Sequence, residues 1–475
     1  MLLLLTGCVS LAPRHETPAL PVPSHYAEAS NAESAQGTAA AAIAWYRYFT
    51  DPHLQQLIAQ ALDNSRDLRS ATLRVAEAQA LYGIQRADQF PNIAVTANDA
   101  RSRTPADLSP AGRAITAGQY MVGVGLAPWE LDFWGRVRNL KDAALQNYLA
   151  TDAARRAASV SLVAQVANAY FSLCELDERL ALARQTVANR QESLRIFTRR
   201  FEVGAIAQTD LVQVEALLRQ AQSLAAQLAL ARATQSHALD LLVGTPGPEE
   251  PGVLDDAAMQ TELSPGLPSD LLLLRPDIMA AEYRLRGAQA NIGAARAAFF
   301  PRIALTGTYG TASAQLDGLF DPGSHAWQFM PSLSLPIFDA GRNRAGLDLA
   351  QVRRNEAVTD YEKTIQSAFR EVSDALSARR WLNEQLDADR AALNTQAERA
   401  RLAQLRYDNG SAPYFEVLDA QRDLLSAQQQ LVQTRRAILT SRVNLYAALG
   451  GGDLAFAATS NRSPAASISA PSGAH

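Results

Sequence analysis

The stretch that decides the fold is GIQRADQFPNIAVT at residues 83–96, because it recurs as GAARAAFFPRIALT at residues 293–306. A second pair follows in the same order, in which LDFWGR at 131–136 resembles FDAGR at 338–342. The separation in sequence between the two members is nearly the same for both pairs. The sequence therefore predicts two copies of one unit of roughly 200 residues.

Each copy begins with a helical pattern, at about 53–88 and 270–298, that stops at a Phe-Pro pair. Proline lacks the amide hydrogen of the helical ladder and biases the preceding residue towards extended geometry. Apolar and small or polar residues then alternate, which predicts β-hairpins at about 90–127 and 300–336. Such alternation fits transmembrane strands, and it fits soluble hairpins with one buried face equally well.

A long helical hairpin is predicted after each β-hairpin, at about 136–243 and 342–449. Apolar residues recur there at 3-4 spacing, which is typical of a coiled-coil seam. A third repeated pair, RFEVG at 200–204 and RYDNG at 406–410, interrupts each pattern. Because glycine tolerates the left-handed geometry of a helix end, each hairpin is expected to reverse there.

The composition excludes several classes of function. The formal net charge of the 475 residues is −4, so no basic surplus attracts nucleic acid. The two cysteines, Cys8 and Cys174, rule out a four-cysteine metal site, and the six histidines form no HxxxH pair. Neither a metal site nor a catalytic residue is predicted, and Cys174 is interpreted as a buried filler of a packed helix.

The chain opens with MLLLLTGC, an apolar run that ends in small residues and Cys8. This pattern resembles a truncated signal peptide with the lipobox of bacterial lipoproteins, whose cysteine carries the acyl lipid. The alternative is an apolar terminus with an inert thiol. Val9 follows the cysteine, and the lack of aspartate there favours the outer membrane by analogy with such lipoproteins. No cofactor other than this covalent lipid is expected.

The domain prediction combines these features into five segments. They are the signal peptide with its lipobox at 1–8, an extended segment at 9–45, the first repeat at 46–250, the second repeat at 251–452 and a disordered tail at 453–475. If the four predicted strands lie in a membrane, they cannot close a barrel alone, because lipid does not tolerate open sheet edges. Three chains give twelve strands, so a homotrimer is expected.

Two further segments make the sequence recognisable. LRPDI at 274–278 and IGAARAAFFPRI at 292–303 closely resemble the TolC/OprM-like outer membrane factors, and most closely their lipidated NodT-type branch. The resemblance covers about 45–450. It implies a mainly α fold with a small β part, in which a trimeric twelve-stranded β-barrel in the outer membrane continues into a periplasmic α-helical barrel.

The same resemblance implies the exit duct of a tripartite efflux pump, completed by a periplasmic adaptor and an inner-membrane transporter of the resistance-nodulation-division type. Two alternatives remain, a duct for type I protein secretion and a lipidated periplasmic coiled-coil adaptor. Adaptors generally carry one helical hairpin, whereas this chain has two in tandem. No enzymatic step is implied.

The resemblance also implies a gate near the helical turns. Thr209, Asp210 and Tyr407 match the family's resting-state lock, but Ala412 stands at the position of its arginine. Glu416 and Asp419 lie three residues apart, so a helix places them on one face. Threefold symmetry would repeat them as rings of carboxylates that favour cations. The turns at Gly204 and Gly410 are expected to contact the adaptor.

Overall fold

The computed structural model describes residues 10–16, 18–26, 38–246, 252–259, 263–264 and 268–453. Cys8 and nearly all of the predicted tail lie outside the described residues. Contacts divide the chain into two units. The sheet unit comprises Met1–Ala19, Arg74–Asp152 and Ala280–Tyr361. The helical unit comprises Leu20–Leu73, Ala153–Met279 and Glu362–His475.

The described chain is mainly helical. The helices are α1 (Trp45–Tyr48), α2 (Pro52–Asn64), α3 (Arg66–Ala87), α4 (Arg136–Glu202), α5 (Gln208–Val243), α6 (Leu271–Leu274), α7 (Pro276–Ala297), α8 (Arg342–Asp408) and α9 (Tyr414–Ala448). The strands are β1 (Thr38–Ala39), β2 (Ile93–Thr104), β3 (Ile115–Glu130), β4 (Leu263–Ser264), β5 (Arg302–Ser313) and β6 (His325–Ser334). Short 3₁₀ helices span Ala40–Ala42 and Pro268–Asp270.

The first helix of each copy is broken, so the prediction of one continuous helix is wrong in both places. The first break lies at Ser65, whose backbone is extended and whose hydroxyl oxygen accepts a hydrogen bond from the Leu68 amide. The second break lies at Arg275, directly before Pro276. Proline disfavours helical geometry at the residue before it, which explains this second break.

The four long strands form one antiparallel sheet in the order β2-β3-β5-β6. The two hairpins of the repeats therefore lie side by side, joined through β3 and β5. The register between β3 and β5 shifts between Leu126 and Trp129, around Pro128. Proline cannot donate to the ladder and is tolerated at such irregularities, which lets β3 continue to Glu130, beyond the predicted end at 127.

The helices α4 and α8 contain 67 residues each, which corresponds to about 100 Å of helix. Helix α4 packs on α5 through the buried side chains of Leu180, Ala183 and Leu228. This contact confirms the predicted coiled-coil seam between the two helices. Phe201 lies one residue before the end of α4, next to the turn, and is 39% exposed.

One helix among the described residues, α4, contains a segment that is long and apolar enough to cross a membrane, and more than half of that segment is buried within the protein. Cys174 lies in this helix, is fully buried and forms no disulfide. Burial raises the pKa of its thiol to about 12, so the nucleophilic thiolate is scarce at neutral pH. The structure thus confirms Cys174 as a buried filler.

The core of the helical unit joins the N-terminal helices to α9. The rings of Tyr48 and Tyr446 stack with centroids 4.3 Å apart, and both hydroxyls donate to backbone carbonyls. Arg275, from the LRPDI segment, forms ion pairs with Asp277 at 2.6 Å and Glu371 at 2.7 Å. The guanidinium also donates to the carbonyl oxygen of Ala448 at 2.9 Å. Arg275 therefore joins three segments that are distant in sequence.

Candidate membrane surface and channel gate

One face of the sheet is apolar across all four strands. The register aligns Val95 with Val124, Val124 with Tyr309, and Tyr309 with Trp327. Directly opposed residues of antiparallel strands share a face, so these four side chains form one row. Their exposed fractions are 78%, 46%, 63% and 71%. In a single chain this large apolar face is therefore uncovered, as expected of a surface that faces lipid.

The opposite face of the sheet carries small and polar side chains. The next row across the strands consists of Thr96, Gly123, Gly310 and Ala326. A methyl group added to Gly310 would clash with the backbone of β3, and one added to Gly123 would lie 2.6 Å from the Tyr309 carbonyl oxygen. Glycine is required here because the two backbones approach closely on this face.

The two helical hairpins reverse through the same backbone motif. Gly204 has φ +74° and Gly410 has φ +69°. The amides of Gly204 and Ala205 donate to Phe201 and Arg200, and those of Gly410 and Ser411 donate to Tyr407 and Arg406. This is a Schellman helix end, in which glycine adopts the left-handed conformation. Nothing lies within 4 Å of a methyl group placed on either glycine, so both turns are open to a partner.

An aromatic cluster lies directly behind these turns. The Tyr414 ring lies 4.5 Å from Phe197 and 4.8 Å from Tyr407, measured between centroids. The hydroxyl groups of Tyr414 and Ser193 lie 2.7 Å apart. Arg200 donates to the Tyr407 hydroxyl and lies over the Phe197 and Tyr407 rings. The predicted gate residue Tyr407 thus has an arginine partner that comes from α4, which the sequence reasoning missed.

The predicted gate acids of α9 bind arginines. Glu416 pairs with Arg406 at 2.7 Å, and Asp419 pairs with Arg399 at 2.8 Å and with Arg422 at 2.6 Å. Both acids, together with Arg399 and Arg406, border an open groove of about 860 Å³ between α8 and α9. The ion pairs compensate part of the acidic charge, so the carboxylates do not act as isolated negative groups.

Asp423 extends this network by one helical turn. Arg399 reaches it at 2.6 Å and Arg422 at 3.1 Å. The hydrogen bond from Arg399, aided by Arg422, lowers the pKa of the Asp423 carboxyl group. Neither Asp423 nor Arg399 was predicted. Arg422 follows Asp419 by three residues on one helix, which favours an ion pair between them. This spacing was the one sign of the network in the sequence.

Thr209 and Asp210 lie at the start of α5 and are exposed. Within the described chain, no hydrogen bond joins either side chain to Tyr407. The structure therefore brings Tyr407, Glu416 and Asp419 together with arginines, whereas the proposed lock through Thr209 and Asp210 stays a prediction.

Arg190 is a further cation near the gate. Its side chain lies on α4, is only 4% exposed, and donates to the Leu418 carbonyl oxygen at 3.3 Å. Burial lowers the pKa of this guanidinium, and its Nη1 has no hydrogen-bond partner among the described residues. A buried cation without a carboxylate is costly, so this position is electrostatically strained.

The described N-terminal segment lies along the sheet unit. Ser10 donates to Asn139 at 2.9 Å, and Arg296 donates to the Leu11 carbonyl oxygen at 3.0 Å. Farther along, His15 lies 2.9 Å from Gln289 and 3.3 Å from Glu282. The segment therefore runs antiparallel to α7. It begins beside the C-terminal end of α7, the end that leads into β5.

Comparisons with known proteins agree with this architecture. The sequence model of the family "Outer membrane efflux protein" matches residues 57–245 and 267–451, one match in each copy. The outer membrane protein OprJ of Pseudomonas aeruginosa is 43% identical over 95% of each chain. The solvent efflux pump outer membrane protein SrpC of Pseudomonas putida is 43% identical, over 95% of this chain and 97% of its own.

A solved structure gives the same result for the fold. The crystal structure of a membrane protein from Pseudomonas aeruginosa is 42% identical and superposes with a TM-score of 0.88, covering 93% of this chain and all of the other. The predicted fold class, mainly α with a small antiparallel β part in a duplicated unit, is therefore confirmed, and so is the family predicted from the LRPDI and IGAARAAFFPRI segments. The chain belongs to the outer membrane efflux protein family.

Proposed function

We propose that this chain is the outer membrane exit duct of a tripartite efflux pump of the resistance-nodulation-division type. Three copies form a twelve-stranded barrel that continues into a periplasmic helical tube. The observation that carries the proposal is the uncovered apolar face of a sheet whose order leaves β2 and β6 at its edges. Lipid does not tolerate open edges, so the edges must pair with those of other copies.

The names of the relatives support efflux as the direction of transport. SrpC is named as part of a solvent efflux pump, and another relative, ArpC of Pseudomonas putida, as part of an antibiotic efflux pump. An outer membrane duct needs a periplasmic adaptor and an inner-membrane transporter to supply energy and cargo. Both are the partners that we assign to this chain. The proposed function needs no catalytic residue and no cofactor besides an acyl lipid.

The function is tested on protein extracted in detergent from outer membranes. We expect a trimer that dissociates on heating in dodecyl sulfate, and stepwise conductance after reconstitution in a planar bilayer. In cells that lack their own duct, the chain should restore survival in toluene when its adaptor and transporter are also expressed. A protein that is monomeric and water-soluble without its first nine residues, and that gives no conductance, would exclude the channel function.

The two alternatives lead to different results in the same assays. A periplasmic adaptor would remain in the periplasmic fraction when Cys8 is removed, and it would not conduct. A duct for type I secretion would conduct, but it would restore release of a secreted protein rather than survival in toluene. The family match in both copies and the names of the relatives favour the efflux duct.

We also assign Cys8 as the lipidation site. Support comes from the position of Ser10, two residues later, beside Asn139 at the start of α4. The first described residue after Cys8 thus contacts the unit that contains the sheet, and two or more acyl chains anchor a protein stably. Cys8→Ser should abolish incorporation of labelled palmitate. The other cysteine, Cys174, is buried and should not be labelled. Label that persists in Cys8→Ser would therefore contradict the assignment.

The periplasmic gate is assigned to Thr209, Asp210, Tyr407, Glu416 and Asp419, and the adaptor contact to the turns at Gly204 and Gly410. The open space around both turns and the ion pairs behind them support this arrangement. Replacing Ala205 and Ser411, which flank the glycines, by tryptophan should weaken crosslinking to the adaptor without loss of trimer. Unchanged crosslinking in both variants would count against the contact.

A further inference from the structure

Another open groove lies within the sheet unit, between the start of α4, α7 and the start of α8. Its volume is about 610 Å³. Helices α4 and α7 pack closely beside it, since a methyl group on Gly287 would lie 3.5 Å from the Ala143 carbonyl oxygen. Ala288 and Gly346, which also line the groove, are small. The space between the three helices is therefore left open by their side chains.

Every ionisable side chain that lines this groove is an arginine. The three are Arg136 of α4, Arg284 of α7 and Arg353 of α8. The whole chain has 44 basic and 48 acidic residues, so this excess of positive charge is local. Arg284 and Arg353 are exposed, and among the described residues neither forms a hydrogen bond or an ion pair. Two guanidinium groups are therefore available to a ligand.

The groove between α8 and α9, in the helical unit, differs in this respect. Its arginines Arg399 and Arg406 pair with Asp419 and Glu416, and both acids line the same groove. The protein itself thus compensates the positive charge there. The groove of the sheet unit has no such acid in its lining, so a counter-charge must come from outside the described chain.

The groove begins at the polar face of the sheet. Arg136 donates two hydrogen bonds to the Glu130 carboxylate, at 2.9 and 2.8 Å. Glu130 lies opposite Ala304, which is an even number of residues from Gly310 in β5, so the two share a face. This face of small and polar side chains lines the interior of the proposed barrel. A molecule that passes through that interior therefore passes the groove.

We propose that this groove binds amphipathic organic anions on their way through the duct. The proposal rests on the channel function proposed above. The planar guanidinium groups of Arg284 and Arg353 each present a fork of N–H donors that matches the oxygens of an anionic group such as a carboxylate. Leu140 and Leu349 offer an apolar wall to the rest of the molecule.

Other classes of solute fit the groove less well. An organic cation would meet two uncompensated positive charges, and a neutral apolar molecule would gain the apolar contact alone. Because the groove is open and both arginines are exposed, binding is expected to be weak and reversible, as transit through a duct requires. The positive charge also raises the local concentration of anions at the groove.

The conductance of single trimers in a planar bilayer tests the site, with naphthalene-2-sulfonate as the probe. The sulfonate should lower the conductance reversibly, because the bound anion occupies part of the interior. Arg284→Gln and Arg353→Gln should each raise the half-blocking concentration about threefold, and the double variant about tenfold, since each loses a charge-assisted contact. Any block by 2-naphthylmethylammonium, which has the same rings and the opposite charge, should be equal in all variants.

Arg344→Gln is the matched control. Arg344 is exposed and lies on α8 within the sheet unit, as Arg353 does, but it does not line the groove. Its replacement removes the same charge and should leave the half-blocking concentration of the sulfonate within about a factor of two. Arg353→Lys keeps the charge and should be blocked more readily than Arg353→Gln.

Two results would overturn the site and leave the channel function intact. One is a conducting trimer that the sulfonate does not block. The other is equal block of the Arg344→Gln control and of the double variant at Arg284 and Arg353. If the unaltered chain forms neither a trimer nor a channel, the channel function is overturned, and the site with it.

Discussion

The two helical hairpins share a backbone but differ in chemistry behind their turns. Helices α4 and α8 have the same length, and both end in a Schellman turn at a glycine. Counting from these turns, Arg399, Asp419 and Asp423 of the second hairpin correspond to Ser193, Gln213 and Leu217 of the first. The second hairpin is therefore held by ion pairs at positions where the first is neutral.

Both hairpins have a buried apolar cluster behind the turn, and that of the first contains the larger side chain. Phe197 and Val214 form a buried cluster with Leu418, which the second hairpin contributes. At the position of Phe197 the second hairpin has Ala403, which is small. The two copies thus share one backbone, whereas the ion-pair network around Asp419 and Asp423, close behind the turn, is found in the second copy. The difference indicates that the second hairpin is the part that responds to ions and pH.

The largest effect is expected from Arg399→Ala. This change removes the group that joins α8 to Asp419 and Asp423 on α9, and leaves the two acids with Arg422, on their own helix, as the remaining cation. Each protomer loses two ion pairs, so a trimer loses six. A shift of about 1.4 kcal/mol in the gate equilibrium changes the open population about tenfold.

The measurement is the resting conductance of single trimers in a bilayer, which should rise about tenfold in Arg399→Ala. Arg195→Ala, which removes an exposed arginine paired with Glu192 within α4 of the first hairpin, is the matched control and should leave conductance within a factor of two. Equal conductance in the two variants would contradict the division of roles between the hairpins.

A smaller effect is expected on ion selectivity. Replacing Glu416 and Asp419 by alanine removes the predicted rings of carboxylates, which attract cations when threefold symmetry brings them together. Because arginines already compensate part of this charge, we expect the cation-to-anion permeability ratio to fall only about threefold. Gln213→Ala in the first hairpin should not change it. A selectivity that survives in assembled double variants would place the filter elsewhere.

Much of the architecture could be predicted because its signals are local. The 3-4 pattern and the glycine turn predicted a helical hairpin at about 136–243, and in the structure α4 and α5 span Arg136–Glu202 and Gln208–Val243. The alternation after each Phe-Pro pair located the strands of both β-hairpins to within a few residues. The break at Ser65 was missed, since a serine can stand inside a helix and no proline follows it.

The electrostatics of the gate could be predicted only in part. Tyr407 was predicted from the family resemblance, and Glu416 and Asp419 from their spacing on a helix. The structure places all three beside arginines. Arg200 and Arg399 were missed, because each reaches a partner on another helix. Such contacts depend on the register between helices, which a single sequence does not give.

The pH response is expected to be confined to acidic conditions. The pKa of Asp423 is lower in the folded protein, so its pairing stabilises the hairpin above the ordinary carboxyl pKa of about 3.9. This contribution is lost only as the pH falls through the lowered value. Resting conductance should therefore be flat from pH 7 to about pH 5 and rise below about pH 4. In Asp423→Asn the rise should be smaller, whereas Gln213→Ala, at an exposed neutral position of the first hairpin, should behave like the unaltered chain.

The smallest difference between the hairpins is expected at the turns themselves. Gly204 and Gly410 have nearly equal positive φ angles, and the added methyl group would meet nothing at either site. Left-handed geometry costs a residue with a Cβ about 1–2 kcal/mol, so Gly204→Ala and Gly410→Ala should each destabilise the local helix ends by about 1 kcal/mol. Hydrogen exchange of the amides of Ala205 and Ser411, which close the two turns, measures this. Exchange should accelerate about fivefold in both variants, and Gly83→Ala, at a helical glycine, should not accelerate it. A large effect at one turn only would show that the two copies differ in backbone strain as well as in charge.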